Sequence, residues 1–112
     1  MPRYLILFDE GAMAFPAEEL QEVARAATAV VAEARQAGVW VFGAGVQDAE
    51  PTVVGTDGAV AHGLVPPGRP HVGGFTVVDV PTREDALAWA ARIATACRCA
   101  QEVWELMPDA EV

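Results

Sequence analysis

The chain contains no lysine, no serine and no asparagine, and each absence closes off a chemistry. Without lysine there is no Schiff base, hence no ordinary pyridoxal-phosphate catalysis, and no P-loop, whose Lys must reach the phosphates. Without serine there is no Ser-His-Asp triad. The only cations are seven arginines (Arg3, Arg25, Arg35, Arg69, Arg83, Arg92 and Arg98), scattered among 16 acidic residues for a net charge of -9. A nucleic-acid binder offsets phosphate charge with a basic patch, so nucleic acid and anionic membrane surfaces are excluded as partners. No stretch approaches the roughly 20 apolar residues of a membrane span. The apolar run at Tyr4–Phe8 stops at Asp9 and Glu10, too short for a signal-peptide core, so a cytosolic location is expected. There the two cysteines, Cys97 and Cys99, are expected as reduced thiols.

What is present is apolar. With 112 residues, 53% of them hydrophobic, the chain reads as one domain over 1–112, too apolar for disorder and greasy for a small monomer. Along it, residues 3–8 predict a strand with Tyr4, Ile6 and Phe8 on one face and Leu5 and Leu7 on the other. After a loop from Asp9 to Ala14, Pro16 suits a first helical turn. Leu20, Val23, Ala24, Ala27, Val30, Val31 and Ala34 then form an amphipathic stripe, which Gly38 stops. Residues 39–42 read as a short apolar strand closed by Gly43 and Gly45. Asp57-Gly58, between two short apolar arms, signals a hairpin. Residues 65–74 read as a Pro- and Gly-rich loop and 75–80 as another strand.

Thr82 followed by Asp85 suggests a helix cap, and Ala86, Trp89, Ala90, Ile93 and Cys97 a second stripe. Residues 102–107 alternate apolar and polar, as an edge strand does. The order β-α-β, hairpin, β-α-β predicts an α+β fold of the ferredoxin-like, split βαβ type: an antiparallel sheet with two helices on one face. Three strands are apolar on both sides, so the helix-free face is expected to meet a second copy, giving a homodimer.

The chain resembles the YCII-related family, including its DGPF-type members. The segments that carry the resemblance are "RYLILFDE", "FPAEELQEVARAATAVVAEARQAGV", "VFGAGVQ", "GGFTVVDVPTREDALAWAARIATA" and "QEVWELM", in that order. The resemblance implies a dimeric α+β barrel. It assigns no activity: where the DGPF stretch would stand the chain reads "HGLVPPGRPHVGG", and the first helix lacks the His of the family's proposed His-Asp pair. A few members act on halogenated or lactone-type aromatic breakdown products.

The candidate ligand-binding residues are His62, Arg69, His71, Asp57 and Asp9. His62 and His71 flank a loop stiffened by Pro66, Pro67 and Pro70, which could hold Arg69 in place to grip a carboxylate. The plainer alternative is a pair of solvated loop histidines on a rigid connection. A carboxylate at Asp9 could face a cavity, or only prepare a turn. Trp40, Trp89 and Trp104 could stack on an aromatic ligand, though such residues more often anchor cores or interfaces. Spacing supports no metal site, which needs at least three protein ligands, and no cofactor is implied. The sequence therefore favours a homodimer binding a small anionic or aromatic molecule. The alternative is a cofactor-independent lyase or isomerase using His or carboxylate acid-base chemistry.

Overall fold

The computed structural model describes residues 1–63, 67–68 and 70–108. The expected elements appear in the expected order. Strand β1 (Arg3–Asp9) leads through a 3-10 turn (Ala17–Glu19) into helix α1 (Leu20–Gln36) and strand β2 (Trp40–Gly45). A hairpin, β3 (Thr52–Val54) and β4 (Val60–His62), precedes strand β5 (Val72–Asp79), helix α2 (Arg83–Cys97) and strand β6 (Glu102–Glu105). The main sheet has the order β2-β5-β1-β6 and is antiparallel throughout, while β3 and β4 form a sheet of their own. The chain is thus an α+β fold with a four-stranded antiparallel sheet, a separate hairpin and two helices packed against each other.

Two strands run further than the sequence pattern suggested. β2 continues through Gly43 to Gly45, and β5 starts at Val72 instead of residue 75. The reason lies in what the glycines face. Gly74 pairs with Phe8, and a Cβ built on it would stand 2.6 Å from the Phe8 ring. A Cβ on Gly43 would stand 2.7 Å from the Trp40 ring. These glycines are notches cut for aromatic rings, not strand ends, a known use of glycine inside a sheet. Beside them the sheet bulges twice, between Phe8 and Asp9 and between Trp40 and Phe42.

Register sorts the side chains, because residues directly opposite one another share a face. Tyr4 lies opposite Val78 and Glu105, and Ile6 opposite Thr76 and Val103; this face meets the helices. Tyr4, Ile6, Val78 and Val80 are essentially inaccessible and form one cluster with Ala86 and Ala90 of α2. Leu5, opposite Val77 and Trp104, and Leu7, opposite Phe75, occupy the other face, which no helix among the described residues covers.

Local chemistry sets the helix limits. Thr82 caps α2, its hydroxyl oxygen accepting the Asp85 N–H at 3.2 Å, and Glu84 and Asp85 lie in the positive first turn. Gly38 takes the left-handed φ of +75° that ends α1. Arg98, a residue without glycine's freedom, does the same for α2 at φ +59°. Its guanidinium pairs with Glu19 and Glu22 at the start of α1, tying the two helices end to end. A second tie joins Arg92 of α2 to Glu33 of α1.

Candidate functional site

The core cluster fills one end of the space between sheet and helices, and the glycine notches lie at the other. The rings of Trp40 and Phe8 lie over Gly43 and Gly74, Gly45 faces open space, and a cleft of about 370 Å³ remains between this end of the sheet and the two helices. That volume lies within the range of small-molecule sites, which are mostly apolar with a few placed polar groups. Phe8 and Thr76 come from the sheet, Met13 from the loop after β1, Val30 and Val31 from α1, and Trp89, Ile93 and Cys97 from α2. Trp40 stands at the start of β2, kept on the helix side by the bulge that follows it. The polar lining is sparse: Thr76, Gln101, the Cys97 thiol and Arg35.

Two arginines flank the aromatic wall. The Arg35 guanidinium lies over the Trp40 ring, 5.5 Å from its centroid, and that of Arg92 lies 4.5 Å from the Trp89 centroid. Both are cation–π distances. Burial pushes the Cys97 thiol above its ordinary range, with the neighbouring Cys99 adding to the shift. A redox-sensing thiol needs the opposite displacement, toward thiolate.

The residues singled out from sequence are dispersed. His62, exposed at the end of β4, and His71, partly buried just before β5, line one open concavity together with Asp48 and Glu50. The His71 carbonyl accepts the Glu10 N–H at 2.7 Å, which fixes the backbone there. Asp57 sits at the hairpin tip, at the opposite end from His62, where its carboxylate accepts the Ala59 N–H at 2.9 Å. That bond makes it a turn residue by local geometry. Asp9, exposed at the end of β1, borders a different groove with Cys99 and Glu102, and its carbonyl accepts the Ala12 N–H. Arg69, like Pro66, lies outside the described residues.

Sequence reading named Trp40, Trp89 and Trp104 together, and the fold separates them. Trp40 and Trp89 line the cleft, whereas Trp104 is exposed on the helix-free face. Its place in the sequence marks Arg35 only as the basic residue of the last turn of α1, where a cation suits the helix end. The signal for its second role was its spacing from Trp40, across the turn at Gly38, visible only once that turn was known to fold the two together. Among the described residues no group of three or more His, Cys, Asp or Glu side chains is arranged to hold a metal ion. No helix among the described residues is long and apolar enough to cross a membrane.

No protein-family model and no curated protein matches the chain.

Proposed function

We propose that this chain is a small-molecule-binding protein that works as a homodimer of ferredoxin-like subunits, with the ligand held in the cleft between sheet and helices. The observation that carries this reading is the cleft: an apolar, aromatic-walled space that the sequence keeps open with glycines. The strand order β2-β5-β1-β6, with one helix after the first strand and another before the last, supports the split βαβ plan and the resemblance to the YCII-related family.

The helix-free face supports the dimer. Leu5, Leu7, Phe75 and Val77 form a continuous apolar patch, bordered by Phe42 at 58% exposure and Trp104 at 57%. The chain exposes 7632 Å². A compact monomer of 11.8 kDa exposes about 5,900 Å² by the usual size scaling. The excess is about twice the roughly 800 Å² that each partner buries in a standard interface. The radius of gyration, 15.7 Å, likewise exceeds the roughly 13 Å expected of a compact domain of this length. Part of that excess belongs to the exposed β3–β4 hairpin, and a second copy, sheet against sheet, would cover the apolar patch.

Calorimetric titration against a set of one- and two-ring aromatic compounds tests the ligand reading. Micromolar binding by the wild type, lost in a cleft-filling Ala27→Phe variant that stays folded, is the expected result. Equal binding by that variant would remove the cleft from consideration. Light scattering tests the assembly and should report twice 11.8 kDa.

One observation favours a second reading, a cofactor-independent acid-base enzyme. His62 and His71 share a concavity with Asp48 and Glu50, a set able to pass protons. Turnover abolished by joint replacement of His62 and His71 with Ala, with ligand binding in the cleft intact, would shift the assignment to this reading.

A further inference from the structure

The cleft wall runs against the composition of the chain. Acidic residues outnumber arginines by 16 to seven, yet the only charged side chain lining the cleft, among the described residues, is Arg35. No carboxylate among the described residues lines it. Arg92, the other arginine stacked on a cleft tryptophan, is engaged by Glu33, and Arg98 by Glu19 and Glu22. Arg35 makes no ion pair among the described residues. Its guanidinium is instead held against the face of Trp40. A guanidinium stacked this way keeps its N–H edge free, and that planar edge matches a carboxylate in bidentate fashion.

We infer that the ligand of the cleft is an aromatic carboxylic acid, its ring lying among Phe8, Trp40 and Trp89 and its carboxylate held by Arg35. This inference rests on the cleft being the binding site and adds the chemical class of its occupant. An apolar cleft alone rejects a carboxylate, because a desolvated charge without a partner is costly. The net charge of -9 repels anions from the protein as a whole. Selection for an acid therefore has to come from one local cation at the mouth, and Arg35 is placed there.

The test pairs 1-naphthylacetate with its neutral amide, 1-naphthylacetamide, in calorimetric titrations of the full chain. The wild type should bind the acid at least tenfold more tightly than the amide. Raising sodium chloride to 0.5 M should weaken the acid and leave the amide unchanged. Arg35→Met, which keeps the apolar stem, should erase the preference without changing amide affinity, and Arg35→Lys should retain part of it. Equal affinities for acid and amide in the wild type would overturn the inference while leaving the cleft as a binding site. So would a preference that survives in Arg35→Met. Binding of neither probe would overturn the inference and the cleft reading together. The salt series and the acid–amide comparison use the unmodified chain, so they stand even if a variant fails to fold.

Discussion

The two faces of the main sheet are built by the same strands, residue by residue in alternation, and they end in different conditions. The helix side holds Tyr4, Ile6 and Val78 at essentially no exposure, and beside them the cleft. The open side carries the half-buried Leu5, Leu7, Phe75 and Val77, with no helix among the described residues above them. On the helix side, close packing and open space are segregated: the core end is filled, and the glycine end, with Phe8 and Trp40 seated in its notches, borders the cleft. On the open side no such division exists; it is a plain apolar surface, suited to being covered whole. The contrast is what the proposal requires of the two faces: a ligand cleft on one and a seam with a second copy on the other.

The largest loss of stability should come from the packed end. Ile6 has no exposed surface, and deleting its outer carbons leaves a void that its neighbours fill only partly. Ile6→Ala should cost about 2–5 kcal/mol in denaturant unfolding, as buried Ile-to-Ala changes do. A loss under about 1 kcal/mol would show that this end is not the core. On the open face the effect should fall on assembly. Leu7→Glu places a charge in the proposed interface, opposite Phe75. The dimer dissociation constant should rise at least a hundredfold, about 2.7 kcal/mol, with the circular dichroism spectrum kept. A variant dimer as tight as the wild type would exclude the face as the interface.

Cys97, in the cleft wall, reports on the cleft itself. Its thiol is pushed up, first by burial and then by Cys99. The folded chain therefore holds its proton to higher pH than the unfolded chain, so stability declines as the pH rises through the ordinary thiol range. At pH 8 alkylation of Cys97 by iodoacetamide should run slower than that of an unperturbed cysteine, since the thiolate is the reacting form. A saturating ligand should slow it further. Alkylation at the rate of a free thiol, unaffected by ligand, would show that Cys97 is not part of the cleft wall.

Much of the fold was legible because its signals are local. The stripe from Leu20 to Ala34, the Thr82 cap and the Asp57-Gly58 turn each depend on neighbours in sequence, and each formed where the pattern put it. The glycines misled because their meaning is tertiary. Gly43 and Gly74 look like breakers until the rings of Trp40 and Phe8 are known to lie over them. The site was less legible still. Histidines draw attention by their chemistry, yet the residues that line the cleft are Trp40, Trp89 and an arginine read as helix punctuation. The bulge that keeps Trp40 on the helix side is set by pairing with β5, a partner some 35 residues away that no local pattern announces.

Gly74 gives the last and smallest expected effect, and it separates packing from space. A Cβ at this position would meet Cζ and Cε1 of Phe8 at 2.6 and 2.7 Å, so the ring must move. These are the far atoms of a side chain that already lines the cleft, and the open volume beside it gives the ring somewhere to go. The backbone at Gly74 carries no left-handed φ that an alanine would resist. Gly74→Ala should therefore cost only about 1 kcal/mol, at the low end for overpacking, because the strain is relieved into the cleft. The relief occupies the cleft, so affinity for aromatic probes should fall at least tenfold while stability and dimerisation barely change. The same substitution on a tightly packed face would have the reverse profile, a large loss of stability and no ligand to lose. Unfolding curves and calorimetric titrations on this one variant decide between the two profiles. A Gly74→Ala protein that is strongly destabilised yet binds its probe normally would mean that Phe8 has no room to move and that the glycines serve the core.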